Sequence, residues 1–177
     1  SVGAPLWRKI LVGIYFTGAI TFSLRLAYGF YRLFKLKRTA KKEHRVGYTL
    51  LFSEQVASPF SFFTNVYWNP RLDMQKPEGA AILAHELAHA RRGHSLDVLL
   101  VEFVQVVLWF HPLLPFIKRS IRNVHEYQAD ADVLKQVLVR PYGQILLYQA
   151  RCNDPQLLLV NHFFTTQIKQ RIMMMTR

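Results

Sequence analysis

The 177 residues are 51% hydrophobic, 14% aromatic and 19% charged, with a net charge of +12; this is enough chain for one domain, or one domain with an appendage, around a buried core. So much apolar content beside so much positive charge points to a membrane or a polyanion as neighbour. The single cysteine, Cys152, excludes an internal disulfide and is compatible with a reducing compartment.

The absence of an initiator methionine at Ser1 predicts a piece of a longer chain, and no small-residue cleavage site follows the first apolar run, so no cleavable signal peptide is expected. Residues 10–24 are fifteen in a row without a charge, preceded by Arg8 and Lys9 and followed by Arg25. Alone the run is short for a bilayer of about 30 Å. With Arg25 snorkelling or facing a protein partner, a helix over residues 6–34 is ample, and Tyr15, Tyr28 and Tyr31 suit interface anchors. Lys35, Lys37, Arg38, Lys41, Lys42 and Arg45 follow it, which by the positive-inside rule puts the chain beyond residue 35 in the cytoplasm. The expected layout is a transmembrane helix within residues 1–34, a basic juxtamembrane segment over 35–45 and one domain over 46–177. The basic cluster abuts an apolar helix and lacks a helix-turn-helix or aromatic stacking pattern, so membrane lipid, and no nucleic acid, is the expected partner.

Residues 46–70 carry Val, Tyr, Thr, Phe and Trp in short runs broken by Ser58-Pro59 and Asn69-Pro70. They predict two or three short strands, one at Asn65, Val66, Tyr67 and Trp68, with an irregular segment over residues 59–63. A strand just ahead of the next helix would offer its free edge to an extended peptide, which makes those four residues the candidate substrate-binding strand. Pro77 and Glu78 suit that helix's start and Gly93 its exit, with Arg91 and Arg92 in the last turn. Ala80, Ala81, Ala84 and Ala88 keep it thin, as fits a helix buried beneath a site.

The apolar stretch 98–117 contains Glu102, Gln105, His111, Pro112 and Pro115, too many interruptions for a simple spanning helix. It predicts a buried helix to about residue 110, able also to lie against a membrane surface, then a turn and a new helix from Pro112 to about residue 139. A further helix covers residues 142–151, Asn153-Asp154-Pro155 forms a turn, and the tail over residues 163–175 is amphipathic and helical. The expected class is α+β, mostly helical, with a small sheet.

Inside the thin helix stands His85-Glu86-Leu87-Ala88-His89. Histidines four apart share one helix face, so both imidazoles reach one metal ion while Glu86 points at the water that ion carries. Catalytic zinc normally takes three protein ligands. In the HExxHxxGxxH pattern the third would stand ten residues after His85, where Ser95 is found, and Gly93 sits one place late, so His94 is a poor match. Glu102 and Glu126 are the candidates left. Glu126 is preferred because Asp130, four residues on, shares its helix face: one carboxylate binds the metal while the other accepts the ring N–H of a metal-bound histidine. Glu102 reads as a capping or ion-paired acid. His111 and His125 read as polar residues at helix ends or faces, either able to stabilise an oxyanion. The expected site therefore holds one zinc ion through His85, His89 and Glu126, with Glu86 as the catalytic base of a peptide hydrolysis.

Together with the HELAH motif, Trp109-Phe110-His111-Pro112-Leu113, Glu126-Tyr127-Gln128-Ala129-Asp130 and Ile168-Lys169-Gln170-Arg171-Ile172 resemble the BlaR/MecR family of membrane-integrated metallopeptidases, and Ser58-Pro59-Phe60-Ser61-Phe62 is similar to the segment before that family's central strand. The resemblance implies a gluzincin-like zinc peptidase domain, facing the cytoplasm at the bacterial inner membrane. It also implies a regulatory endopeptidase in signal transduction, acting on protein or peptide substrates that include itself, with itself or another membrane subunit as partner. The 177 residues contain no penicillin-binding sensor motif, so beta-lactam sensing does not carry over. The alternatives are an HtpX-like quality-control membrane protease, which shares HExxH and a later Glu-x-x-Ala-Asp, and a catalytically silent zinc-binding membrane scaffold.

Overall fold

The computed structural model describes residues 5–152 and 169–175. Its first element, α1 (Leu6–Thr39), is a 34-residue helix, about 51 Å long at 1.5 Å per residue. By length and composition it can cross a membrane, and none of its residues is buried. Lys37 and Arg38 lie in its last turn, where the helix dipole favours cations.

The chain passes directly from α1 into a four-stranded sheet, β1 (Lys41–Arg45), β2 (Tyr48–Phe52), β3 (Phe60–Phe62) and β4 (Asn65–Trp68). The basic stretch over 35–45 is thus the end of a helix followed by an edge strand. Its lysines, arginine and leucine are good helix formers, so α1 propagates through them, and β1 carries charges that discourage further pairing on its open side. Gly47, with φ 85°, turns the chain between β1 and β2.

The strand order is β1-β2-β4-β3, parallel between β2 and β4 and antiparallel elsewhere. Two expectations change here. Residues 60–62, expected to be irregular, pair with β4. And β4 has no free edge, because Val66 faces Leu50 of β2 on one side and Ser61 of β3 on the other. Val66, Tyr67 and Trp68 are core residues; the outer strand next to the helices is β3.

Helices α2 (Pro77–Arg92), α3 (His94–Val107), α4 (Leu114–Val133) and α5 (Val139–Cys152) complete the order. One core joins Leu50, Val66 and Trp68 to Ala81 and Ile82 of α2 and to Val133, Tyr142, Ile145 and Leu146. On a second, Leu51, Val56 and Tyr67 meet Ala40 and the end of α1 through Leu33 and Leu36. The sheet is thereby pinned between α2 and the base of α1. The α4 helix stops at Val133, short of the expected residue 139, and residues 134–138 form a turn before α5, whose first turn tolerates Pro141. Residues 169–175 are helical as expected, while the Asn153-Asp154-Pro155 turn lies outside the described residues.

The α3–α4 turn reaches back to α1. The Tyr15 hydroxyl donates to the Val107 carbonyl at 3.1 Å and Trp109 Nε1 donates to the Tyr15 carbonyl at 3.1 Å. Trp109 also stacks on Phe22 and covers Gly18 so closely that a Cβ there would lie 2.1 Å from the indole.

Candidate metal centre

The HELAH motif lies in α2, which starts with Pro77 in its first turn and ends at Gly93, held left-handed at φ 69°. One turn of helix brings His85 Nε2 and His89 Nε2 to 3.1 Å. From α4, packed against α2, the Glu126 carboxylate comes to 3.5 Å from His85 Nε2 and 3.8 Å from His89 Nε2. These three groups could hold a metal ion: their ligand atoms lie within 4.8 Å of one another. Two nitrogens and a carboxylate oxygen converging on one point fit a His-His-Glu donor set, because the nitrogens can share only one proton between them.

Each histidine is oriented from behind. His85 Nδ1 lies 2.9 Å from the Tyr142 hydroxyl and 3.3 Å from Asp130 Oδ1. The Tyr142 hydroxyl itself donates to Asp130 at 2.7 Å, so it can only accept from His85; Nδ1 carries the proton and the Nε2 lone pair faces the centre. On the other side, His89 Nδ1 is 2.8 Å from His94 Nδ1, and His94 Nε2 is 3.0 Å from Gln128 Oε1. The Gln128 oxygen is an acceptor, so His94 donates to it and accepts from His89, which turns the His89 Nε2 lone pair to the same point. His94 in turn stacks on His125 at 3.9 Å, and His125 pairs with Asp97 at 2.9 Å.

Arg171, from the helical tail, joins the two carboxylates. It donates twice to Asp130, at 2.8 and 2.6 Å, and lies 2.9 Å from Glu126 Oε2. Burial opposes ionisation of Glu126 and Asp130, but His85 and Arg171 outweigh it and hold both well below the usual carboxylate range. Burial disfavours charge on His85 too, yet Asp130 and Glu126 raise it to about 9, while burial and the neighbouring His85 charge lower His89 to about 3. A proton and a metal ion compete for the same His85 nitrogen.

Glu86 faces a cleft of about 480 Å³ lined by Ser61, His85, His89, His125 and Glu126 among others. Burial pushes its carboxyl up to about 7, against the pull of His85 and of hydrogen bonds from the Ser61 hydroxyl and backbone. The outer strand β3 thus forms one wall. Asn65, Val66, Tyr67 and Trp68 are not among the lining residues, and neither is His111, which sits in the α3–α4 turn accepting from the Leu113 N–H. Glu102 is ion-paired with Lys118 at 2.6 Å.

Sequence reasoning missed Ser61, His94, Tyr142 and Arg171. Only His94 carried a local signal, since Gly93 folds the chain back immediately after His89. Ser61 and Arg171 stood in segments quoted for a resemblance, without a role. Among the curated proteins compared, none matches the chain. The family model described as BlaR1 peptidase M56 matches residues 11–175, and the chain belongs to that family of membrane-associated metallopeptidases.

Proposed function

We propose that the chain is a membrane-anchored regulatory zinc endopeptidase that works in signal transduction and counts itself among its substrates. The observation that carries the reading is the convergence of His85, His89 and Glu126 beside Glu86 in a cleft walled by an outer strand. The His-His-Glu set suits zinc, with room for a fourth ligand. The α1 helix spans the bacterial inner membrane, and the excess of basic residues after it sets the cleft on the cytoplasmic side.

Bound zinc would supply an acidified water and a polarised scissile carbonyl. The chain's own residues do the rest. Glu86, with a carboxyl near neutrality, accepts the water proton and returns it to the leaving amine. Tyr142 and Asp130 fix His85, and His94 fixes His89, so neither ring turns away during turnover. Arg171 pairs with the ligand Glu126 and with Asp130 behind His85, offsetting their negative charge. An extended substrate aligns along β3, where the Ser61 backbone faces the cleft. This replaces the expected role of Asn65 to Trp68, which are taken up by the sheet.

The test is the full chain in lipid vesicles with and without Glu86→Gln. Zinc content should be equal in the two, and mass spectrometry should find peptide cleavage only in the unsubstituted protein. Loss of zinc from the variant, or cleavage that persists in it, would refute these roles.

A further inference from the structure

The geometry points to the α3–α4 turn, with the adjoining ends of both helices, being inserted among the acyl chains of the bilayer beside α1. This rests on the reading of α1 as a membrane span. The contacts that tie the turn to α1 fall at Tyr15, Gly18 and Phe22, in the middle of the uncharged run 10–24. If those residues lie at hydrocarbon depth, Val107 and Trp109 lie there too. The absent side chain of Gly18 is what lets the indole seat against α1, so the contact is built into the helix surface.

The rest of the turn suits that depth. Phe103, Val107, Leu108, Phe110, Leu113 and Phe116 are between 39% and 68% exposed, a concentration of large apolar side chains that a water-facing surface rarely carries. They continue the exposed apolar surface of α1, where Ile10, Leu11, Ile14 and Phe16 are open. Among the polar residues nearby, half-buried Lys118 bonds both Glu102 and Gln105 between the two helices, the pairing that charges inside a bilayer require, and the exposed His111 ring accepts from the Leu113 N–H. Several backbone donors of the turn are satisfied within the protein: Leu108 N–H by Val104, His111 N–H by Leu108 and Leu114 N–H by His111. Exposed Arg119 and Arg122 follow on α4, and Arg25 on α1 stands seven residues, about 10 Å, beyond Gly18, a level that matches lipid headgroups. The fourteen residues of α3 span about 21 Å, against a hydrocarbon half-thickness of about 15 Å, so an upright α3 leaves His94 and the cleft just outside the hydrocarbon.

Single-cysteine proteins, made by placing Phe110→Cys, Leu113→Cys, Ile14→Cys or Val46→Cys in a Cys152→Ser background, test this in phosphatidylglycerol–phosphatidylethanolamine vesicles. A fluorophore on residue 110 or 113 should be quenched by acyl-chain nitroxides as strongly as one on residue 14, while one on the fully exposed residue 46 should not be. A membrane-impermeant maleimide should label residues 110 and 113 about tenfold more slowly than residue 46, because a thiol in hydrocarbon is kept from ionising. Quenching at residue 14 with free labelling at 110 and 113 would overturn insertion of the turn while leaving α1 a span. Disulfide cross-linking between copies through residue 110, without lipid quenching, would assign the surface to a second copy and also overturn it. No lipid quenching at residue 14 would remove both readings.

Discussion

Arg171 is the residue on which the buried electrostatics of the centre turn, and replacing it with methionine tests them quantitatively. Methionine keeps much of the apolar stem of Arg171 but removes the guanidinium, with its two hydrogen bonds to Asp130 and its ion pair with Glu126. Asp130 is 2% exposed, so its charge cannot turn to water. Breaking a buried pair by removing one partner costs about 3–5 kcal/mol, since an uncompensated charge stays behind. For a chain of this size each kcal/mol moves Tm by about 2–4 °C, so Arg171→Met should unfold about 6–20 °C lower in detergent micelles containing a chelator. Added zinc should shrink the gap, because the ion would face the Glu126 charge.

The pH dependence follows with a definite sign. Burial would raise the Asp130 carboxyl, but Arg171 holds it below the usual range; its stabilising contribution is complete above the unfolded value of about 3.9 and is lost as pH falls toward the folded value. Without Arg171 the same burial favours protonation, so the difference between the two proteins should narrow below about pH 4. Asp130→Asn should also cost less in the Arg171→Met background than alone. A variant that melts with the parent at pH 7, or a gap that widens in acid, would show that Arg171 does not stabilise the carboxylate pair.

Tyr142→Phe removes the hydroxyl 2.9 Å from His85 Nδ1 and should weaken zinc binding by about 10–100-fold in chelator competition, with unchanged affinity counting against the orientation assigned to His85. His94→Leu deprives His89 Nδ1 of its acceptor and should weaken zinc by about tenfold, whereas His111→Leu, in the α3–α4 turn, should leave it alone; equal effects would dissolve the distinction. Gly79→Ala forces a Cβ to within 2.1 Å of the Asp73 carbonyl and should cost about 1–3 kcal/mol by denaturant titration, and an unaltered midpoint would show that the loop yields freely.

What the sequence discloses and what it hides divide along the range of the interactions. Helix α2 is legible to the residue because proline, glutamate and glycine act on its ends locally, and the HELAH spacing is a property of one turn. Glu126 and Asp130 are legible as a pair for the same reason. Which strand lies outermost is not, since β4 lies between β2 and β3 through pairings that no period within four residues can specify. Residues 60–62 are too few to show an alternation at all. Arg171 and Tyr142 reach the centre across 41 and 57 residues of chain, and only the physical requirement that two buried carboxylates find a cation could have pointed to a basic residue in the tail.

The sheet order also bears on how the chain reaches its native state. β3 and β4 close over two residues, Phe63 and Thr64, with Phe63 held at φ 51° and its N–H bonded to Ser95 Oγ at 2.8 Å. β2 and β4 pair in parallel between residues sixteen apart, as Leu50 and Val66 show. Loop-closure entropy rises with the separation of the paired residues, so the hairpin is the cheaper closure and the parallel ladder the dearer one. The strand that lines the cleft is therefore favoured to form early, as a local unit, and to be carried into place when β4 docks on β2.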